Sequence, residues 1–444
     1  MKNIAYFSPL PFLKSGIADY SYDLVGHLRK HVNIDLFVSK KQMAQIDKNI
    51  IRDFSVHKID DFELINKQKQ FDATMYHIGN NADYHGEIYK KAIEHPGIVV
   101  LHDFAIHHLI AALTFAQGKN SEYICEMEYN YGDLGRNLAM KFIKEKTAPL
   151  WGGEGALKFP LNKRLIDSAK GFVVHSTYAR QGIKKINKDV PVKVIPLLTP
   201  EITQDMEFDK KAARQNLGID NDVIILASFG FINSSKRIHK VLSAIARMKA
   251  PIKKKIKYYL VGEQNEPEYP LDKIIAELNL SDVVEFKGFL QLDAYTDFMK
   301  ATDICINLRF PYHGESSGNL HRMFGYGKVA LISDVGAFSE YPSDFVMKIG
   351  MENEEEDIYH ALMKLFEQPD LLAKMSHNAW NYAKHYCSLG HVANEYAEFI
   401  NKVSTDYFVS EGLIELVAEV VSQAGIEEDE SLLREISRSL ISLI

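Results

Sequence analysis

The run Val223-Ile224-Ile225-Leu226-Ala227-Ser228-Phe229-Gly230-Phe231-Ile232-Asn233-Ser234-Ser235-Lys236-Arg237 decides the fold. It opens with four large aliphatic residues in a row, the pattern of a strand buried on both faces of a parallel sheet. A small-residue loop follows, and then a helix-length segment, His239–Lys249. Strand, turn and helix in that order make half of a βαβ unit.

The same alternation extends outward in both directions. Toward the N-terminus, strands are expected at Ile4–Leu10, Ile34–Ser39, Phe71–Gly79, Gly97–Asp103, Gly171–Ser176 and Pro191–Leu197. After Val223–Phe231 they are expected at Ile256–Glu263, Val283–Leu290, Ile304–Phe310, Lys328–Val335 and Phe345–Gly350. Ile17–Lys30, Asp103–Ala116 and Leu271–Leu278 read as helices between them. This predicts an α/β fold of two Rossmann-like, doubly wound parallel-sheet domains. The proline-bearing, charged stretch before Val223 reads as a linker. The expected boundaries are residues 1–196 for the first domain, 197–222 for the linker and 223–385 for the second domain. A helix at 386–403 and a helical tail at 404–444 complete the chain.

Composition narrows the function classes. The 444 residues are 46% hydrophobic and 25% charged, as in an average globular protein. No apolar run reaches the ~20 residues that span a bilayer, and no secretory leader is expected. Cys125, Cys305 and Cys387 are too scattered for a zinc motif or a disulfide framework. A reducing cytoplasm fits that usage. Residues 404–444 hold nine acids and two bases, which is the whole net charge of −7. Residues 1–403 keep 50 of the 52 bases and 50 of the 59 acids, a neutral body that argues against nucleic-acid binding. The tail reads as two amphipathic helices that must bury against the body, a second copy or a partner protein. Lys253-Lys254-Lys255 with Lys257 is a solvated run that also admits contact with an anionic membrane surface.

Open parallel sheets bind ligands beyond the C-terminal ends of their strands. After the first strand, Ser15-Gly16-Ile17 forms a small turn opening a helix. Gly16 would let backbone approach a ligand there, and Ser15 could cap. Gly97–Leu101 runs into His102-Asp103, where His102 could meet a substrate or be an internally satisfied histidine, and Asp103 could cap the next helix. His107 and His108 point about 100° apart on a helix, so a metal cluster with His102 is disfavoured. Lys236-Arg237 suits a diphosphate, one residue as a point charge and the other as a fork. Arg309 ends another strand. It begins Arg309-Phe310-Pro311-Tyr312-His313-Gly314-Glu315-Ser316-Ser317-Gly318-Asn319-Leu320-His321-Arg322, where Ser316 or Ser317 would cap a helix whose open N-terminus attracts anions. Glu315 would repel phosphate there and is better suited to accepting hydrogen bonds from hydroxyls. No dinucleotide fingerprint, GxSxG, HExxH or Walker motif occurs.

In order and spacing these pieces resemble the GT-B glycosyltransferases, most closely the retaining glycosyltransferase family 4 members that build bacterial surface polysaccharides. The resemblance covers roughly residues 1–403. It includes Leu260-Val261-Gly262-Glu263, Lys287-Gly288-Phe289 and Gly327-Lys328-Val329. It implies two domains facing a cleft, a nucleotide-sugar donor (UDP- or GDP-linked) on the second and a glycan or lipid-linked acceptor on the first. Carried over, Lys236, Arg237, Arg309, Gly16 and Ser316–Asn319 (Ser316, Ser317, Gly318, Asn319) hold the diphosphate. Glu263, Gly288 and Phe289 line the nucleoside pocket. Glu315 and His102 meet the reacting sugar, and Ser15 and Asp103 lie on the acceptor side. No metal or other cofactor is required. Aligned on Gly327, Arg322 stands at the second glutamate of the family motif and Gly314 at the first, with Glu315 one residue away. Phe231 stands at the usual phosphate-loop arginine. The implied function is metal-independent, front-face transfer of a hexose, mannose among the candidates. The departures favour, as the alternative, a non-catalytic GT-B subunit that binds a glycan or scaffolds an assembly.

Overall fold

The computed structural model describes residues 1–405 except 12, 14, 154, 265 and 268, together with 417, 418, 420–422, 432, 433 and 436. The expected tail at 404–444 therefore lies almost wholly outside the described residues.

The first sheet contains β1 (Asn3–Phe7), β2 (Asn33–Val38), β3 (Ser55–Lys58), β4 (Ala73–Ile78), β5 (Ile98–Leu101), β6 (Gly171–Val174) and β7 (Val192–Val194), in the order β3-β2-β1-β4-β5-β6-β7. The second contains β8 (Ile224–Phe229), β9 (Ile256–Val261), β10 (Val284–Gly288), β11 (Ile304–Asn307), β12 (Val329–Ser333) and β13 (Val346–Ile349), in the order β10-β9-β8-β11-β12-β13. Every pairing is parallel. Each expected strand is present but ends earlier, because its last residues turn into the loop. β3 escapes the sequence reading: Ser55-Val56-His57-Lys58 has a single aliphatic residue and sits at the sheet edge, where burial on both faces is not required.

Strand order reverses between β1 and β4 and between β8 and β11, so each domain opens a crevice at those strand ends. One face of the first sheet is covered by α1 (Gly16–Leu28), the other by α2 (Ala82–Glu94), α3 (His107–Leu113) and α4 (Asn120–Glu145). The helix expected from Asp103 begins only at His107. Residues 103–105 pair instead with the second domain, and Asp103 does not cap. α5 (Thr177–Ile186) is capped within its own domain by Ser176.

The stretch expected as a linker contains α6 (Met206–Leu217). Arg214 on α6 is buried and donates to the carbonyls of Asn221 (2.9 Å), Val223 (3.0 Å) and Ala301 (3.2 Å) and to Asp303 (2.7 Å). A buried guanidinium so fully satisfied fastens α6 to the second domain. That domain also carries α7 (Ile238–Ala246), α8 (Leu292–Ala301), α9 (Gly318–Gly325), α10 (Glu354–Glu367) and α11 (Pro369–Tyr382).

α12 (Leu389–Ser404) returns to the first domain, where Val392, Ala393, Tyr396, Phe399 and Ile400 are buried with α1 residues. The Tyr396 and Tyr20 hydroxyls share a buried hydrogen bond of 2.8 Å. Gly171 leaves room for Phe399, since a Cβ there would stand 3.1 Å from its ring. Phe399→Ala should cost about 3–5 kcal/mol, the usual loss for a buried Phe truncation. A lower urea midpoint checks this, and a wild-type midpoint contradicts the placement of α12.

Candidate functional site

The domains meet through a short piece of shared backbone structure. Phe104 N donates to the Gly314 carbonyl (3.2 Å) and Ala105 N to that of His313 (3.4 Å), while Asp103 and Glu315 stand opposite one another in an antiparallel bridge. Gly314 is required here on two counts. Its φ is +87°, and a Cβ would stand 2.6 Å from the Phe104 Cβ. Glu340 of the second domain adds a further tie by accepting from Thr177 N (2.8 Å) and Tyr178 N at the start of α5. A carboxylate at that position also complements the helix dipole.

On the second-domain side, Lys236, Gly230, Asn319 and Arg309 converge. Lys236 is buried, and its Nζ donates to the Phe229 carbonyl. Burial, with Arg309 nearby, holds its pKa well below the usual lysine range. Gly230 (φ +84°) leaves a hollow: a Cβ there would stand 3.0 Å from Asn319 Nδ2 and 3.3 Å from Lys236 Nζ. The Tyr295 hydroxyl donates to Asn319 Oδ1 (2.9 Å), which fixes the Asn319 amide group. Ser317 caps α9, accepting from Leu320 N (3.3 Å) while donating to Asn307 Oδ1 (3.0 Å). Helix geometry then leaves the Gly318 and Asn319 amides without intrahelical acceptors. A Cβ added at Gly318 would meet nothing, and Ser316 is partly buried just before the cap. Arg309 Nε is buried without a hydrogen-bond partner and lies 3.7 Å from Glu315 Oε1. A buried lysine, an unpartnered guanidinium nitrogen and two amides around one hollow are the kinds of group that receive an anion.

Other anticipated residues lie elsewhere. Arg237 does not join this hollow's cations. Its Nε stands 3.0 Å from both carboxylate oxygens of the buried Glu354, so in this structure its charge is turned to that carboxylate. Arg322 reaches the first domain, 3.6 Å from Asp23 on α1. Asp23 is pushed up to about 6 by burial, partly offset by Arg322. Gly16 begins α1 behind its cap Ser15, which accepts from Ile17 N, and a Cβ at Gly16 would meet only open space. Glu263 is exposed beyond β9, and its carbonyl accepts from Ile232 N (2.9 Å). Gly288 (φ +63°) closes β10, and Phe289 beside it is 56% exposed.

On the first-domain side three histidines stand at the ends of neighbouring strands. His175 Nδ1 lies 2.9 Å from the Ile195 carbonyl, His175 Nε2 lies 3.2 Å from His102 Nδ1, and His102 Nε2 lies 3.0 Å from His77 Nδ1. A carbonyl only accepts, so each Nδ1 carries its hydrogen, the Nε2 atoms of His175 and His102 accept, and His77 Nε2 is buried without a partner among the described residues. Burial and neighbouring histidines hold His77 and His102 well below the usual imidazole range, and burial, with His321 nearby, holds His175 at about 4, so the row is neutral. Both His102 nitrogens are thus occupied, and a sugar contact there would require one of these bonds to open. His77 and His175 are missing from the sequence reading. Their signal is the one His102 gives, a histidine closing an apolar strand. Among the described residues no cluster of three or more His, Cys, Asp or Glu is placed to hold a metal ion.

Residues 209–382, less than half of the chain, match the family model described as glycosyl transferases group 1. A D-inositol 3-phosphate glycosyltransferase from Geodermatophilus obscurus is 27% identical over 117 residues, 25% of each chain. The chain thus spans about a quarter of the curated relative it matches. Among solved structures, the sucrose-phosphate synthase of Thermosynechococcus elongatus is similar (TM-score 0.65, 13% identity, covering 91% of this chain and 100% of that one). So is Anabaena HepE in complex with UDP and glucose (TM-score 0.60, 14% identity, covering 90% and 100%). The architecture is the GT-B fold, and the enzyme class these matches support is a glycosyltransferase.

Asp103 accepts from Asn80 N (2.8 Å) and is pushed up from 3.8 to about 6, first by burial and then by Glu315. An acid with a raised folded-state pKa holds its proton more tightly when folded, so stability falls as pH rises between about 4 and 6. Asp103→Asn should therefore melt a few degrees higher at pH 7.5, by about 1–3 kcal/mol, with the gain fading toward pH 4. Melting curves across that range check this. An equal or lower melting temperature at pH 7.5 contradicts it.

Proposed function

We propose that the chain transfers a hexose from a nucleotide-sugar, with retention, to a glycan or lipid-linked acceptor. The observation that carries this reading is the hollow at Gly230. Lys236 and the unpartnered Arg309 Nε have no carboxylate in hydrogen-bond contact, and the amides opening α9 complete a cradle for a diphosphate. Similar folds have been solved with UDP and with UDP-glucose, which supports a uridine donor. Glu263, Gly288 and Phe289 at the ends of β9 and β10 would flank the nucleoside. Glu315, beside Arg309 and facing Asp103, would accept hydrogen bonds from the donor sugar.

In this mechanism the bond from the anomeric carbon to the diphosphate breaks while the acceptor oxygen attacks from the same face. The leaving oxygen's charge is taken by Lys236, Arg309 and the α9 amides, which are already oriented and partly desolvated. The acceptor hydroxyl's proton passes to the departing diphosphate oxygen, so no separate base is needed. Lys236, buried without an anionic partner, is held ready for the negative charge that arrives with the donor.

A second reading has a specific observation behind it. Arg237 is committed to Glu354, which withdraws one cation from the donor side. That favours a non-catalytic subunit that retains the fold.

A melting-temperature panel of UDP-, GDP-, ADP- and TDP-sugars with EDTA separates the two. The transferase reading predicts a clear shift with one nucleotide family, following RT ln(1 + [L]/Kd). A flat panel with folded protein favours the subunit. Lys236→Met should abolish the shift and lower donor turnover at least a hundredfold. The unliganded variant should melt no lower than wild type, because an unpaired buried cation has been removed. A retained nucleotide shift would exclude Lys236 from the site.

A further inference from the structure

A second cavity, of about 570 Å³, opens on the first-domain side of the cleft. This is within the size range of small-molecule pockets, roughly 300–1,000 Å³. Its polar walls are Asn80, Asn81 and Asp83 at the start of α2 and His108 on α3, with His313 contributed by the second domain. Trp151 and the Ala111 and Ala112 methyls supply its apolar surface.

The walls are set before any ligand arrives. Asn80 donates through Nδ2 to His108 Nδ1 (3.1 Å) and accepts Leu109 N on Oδ1 (3.1 Å). With Nδ1 accepting, a neutral His108 carries its hydrogen on Nε2, a donor with no protein partner among the described residues. The rings of His108 and His313 lie 5.8 Å apart, and His313 Nε2 lies 3.2 Å from the Gly153 carbonyl. Trp151 is held edge-on by Phe142 and Tyr123, with ring centres at 5.3 and 5.9 Å.

Two features define what fits. An apolar ring and methyl floor beside amide, carboxylate and imidazole groups matches a pyranose, which has an apolar C–H face and a hydroxyl rim. The cavity also offers no fixed side-chain cation to an anion. No lysine or arginine lines it among the described residues, and Asp83 contributes a negative charge. Its position is equally specific, because Asn80, which braces His108, also donates its backbone N–H to Asp103 opposite Glu315.

We propose that this cavity is the acceptor subsite, and that it takes the uncharged sugar ring of a glycan rather than a phosphorylated sugar. The proposal rests on reading the cleft as a glycosyl-transfer site. It narrows the acceptor class, since the relative matched over 117 residues is named for a phosphorylated acceptor.

The chain has two tryptophans, and Trp380 donates to the Thr203 carbonyl in another part of the molecule. Trp380→Phe therefore makes Trp151 the sole indole and a reporter for the cavity. This protein would be titrated with methyl glucoside, galactoside and mannoside, and with glucose 6-phosphate and myo-inositol 1-phosphate as anionic probes. At least one uncharged glycoside should change the emission saturably. Adding His108→Ala or Asp83→Ala should weaken that response at least tenfold, while the melting shift with UDP-glucose persists. The proposal is overturned if no uncharged glycoside moves the emission, if only the phosphorylated sugars do, or if the response survives both substitutions. A glycoside response without any UDP-glucose shift would sustain the subsite and remove the transferase reading.

Discussion

The short antiparallel bridge between residues 103–105 and 313–315 is the constraint on which the rest of the cleft depends. Two amides from one domain reach two carbonyls from the other, and only a glycine at 314 allows the backbones to come so close. The bridge brings Asp103 and Glu315 together and withdraws Asp103 from water, which accounts for the proton it holds more tightly than usual. It also carries Arg309 to the carboxylate side of the hollow and His313 to the edge of the first domain's cavity. The proposed donor cradle and the proposed acceptor cavity thereby share this bridge as a common support.

The arginines and the buried lysine divide into two roles. Arg237 with Glu354 and Arg322 with Asp23 are pairs within the protein, one inside the second domain and one between domains. Breaking the Arg237 pair would strand the buried Glu354 carboxylate, so that pair secures shape, whereas the longer and more exposed Arg322–Asp23 contact contributes less. Lys236 and Arg309 are left less satisfied, which makes the hollow costly when empty and receptive to an anion. Stability given up at such a position is a common accompaniment of binding function.

The sheets were legible because apolar runs with no alternation permit little besides doubly covered parallel strands, as Ile98–Leu101 and Ile224–Phe229 illustrate. The helix cap at Ser317, one of the two serines offered, was legible from local pattern, whereas the burial of Lys236 was not. What the sequence concealed is non-local. Glu354 lies 117 positions from the arginine it claims, and Glu340 lies 163 from the amide it caps. Asp103 looked like a helix cap until its segment paired with residues 313–315. The 197–222 stretch looked like a linker because its charged residues hid the one buried arginine, Arg214, that binds it to the second domain.

The most direct test of the central claim is amide hydrogen exchange with and without UDP-glucose. The account predicts slower exchange on binding at residues 230–236 and 316–320, the two edges of the hollow, with the core strands unchanged. Binding with no protection at either edge, or with protection confined to another region, would contradict the assignment of this cleft as the donor site.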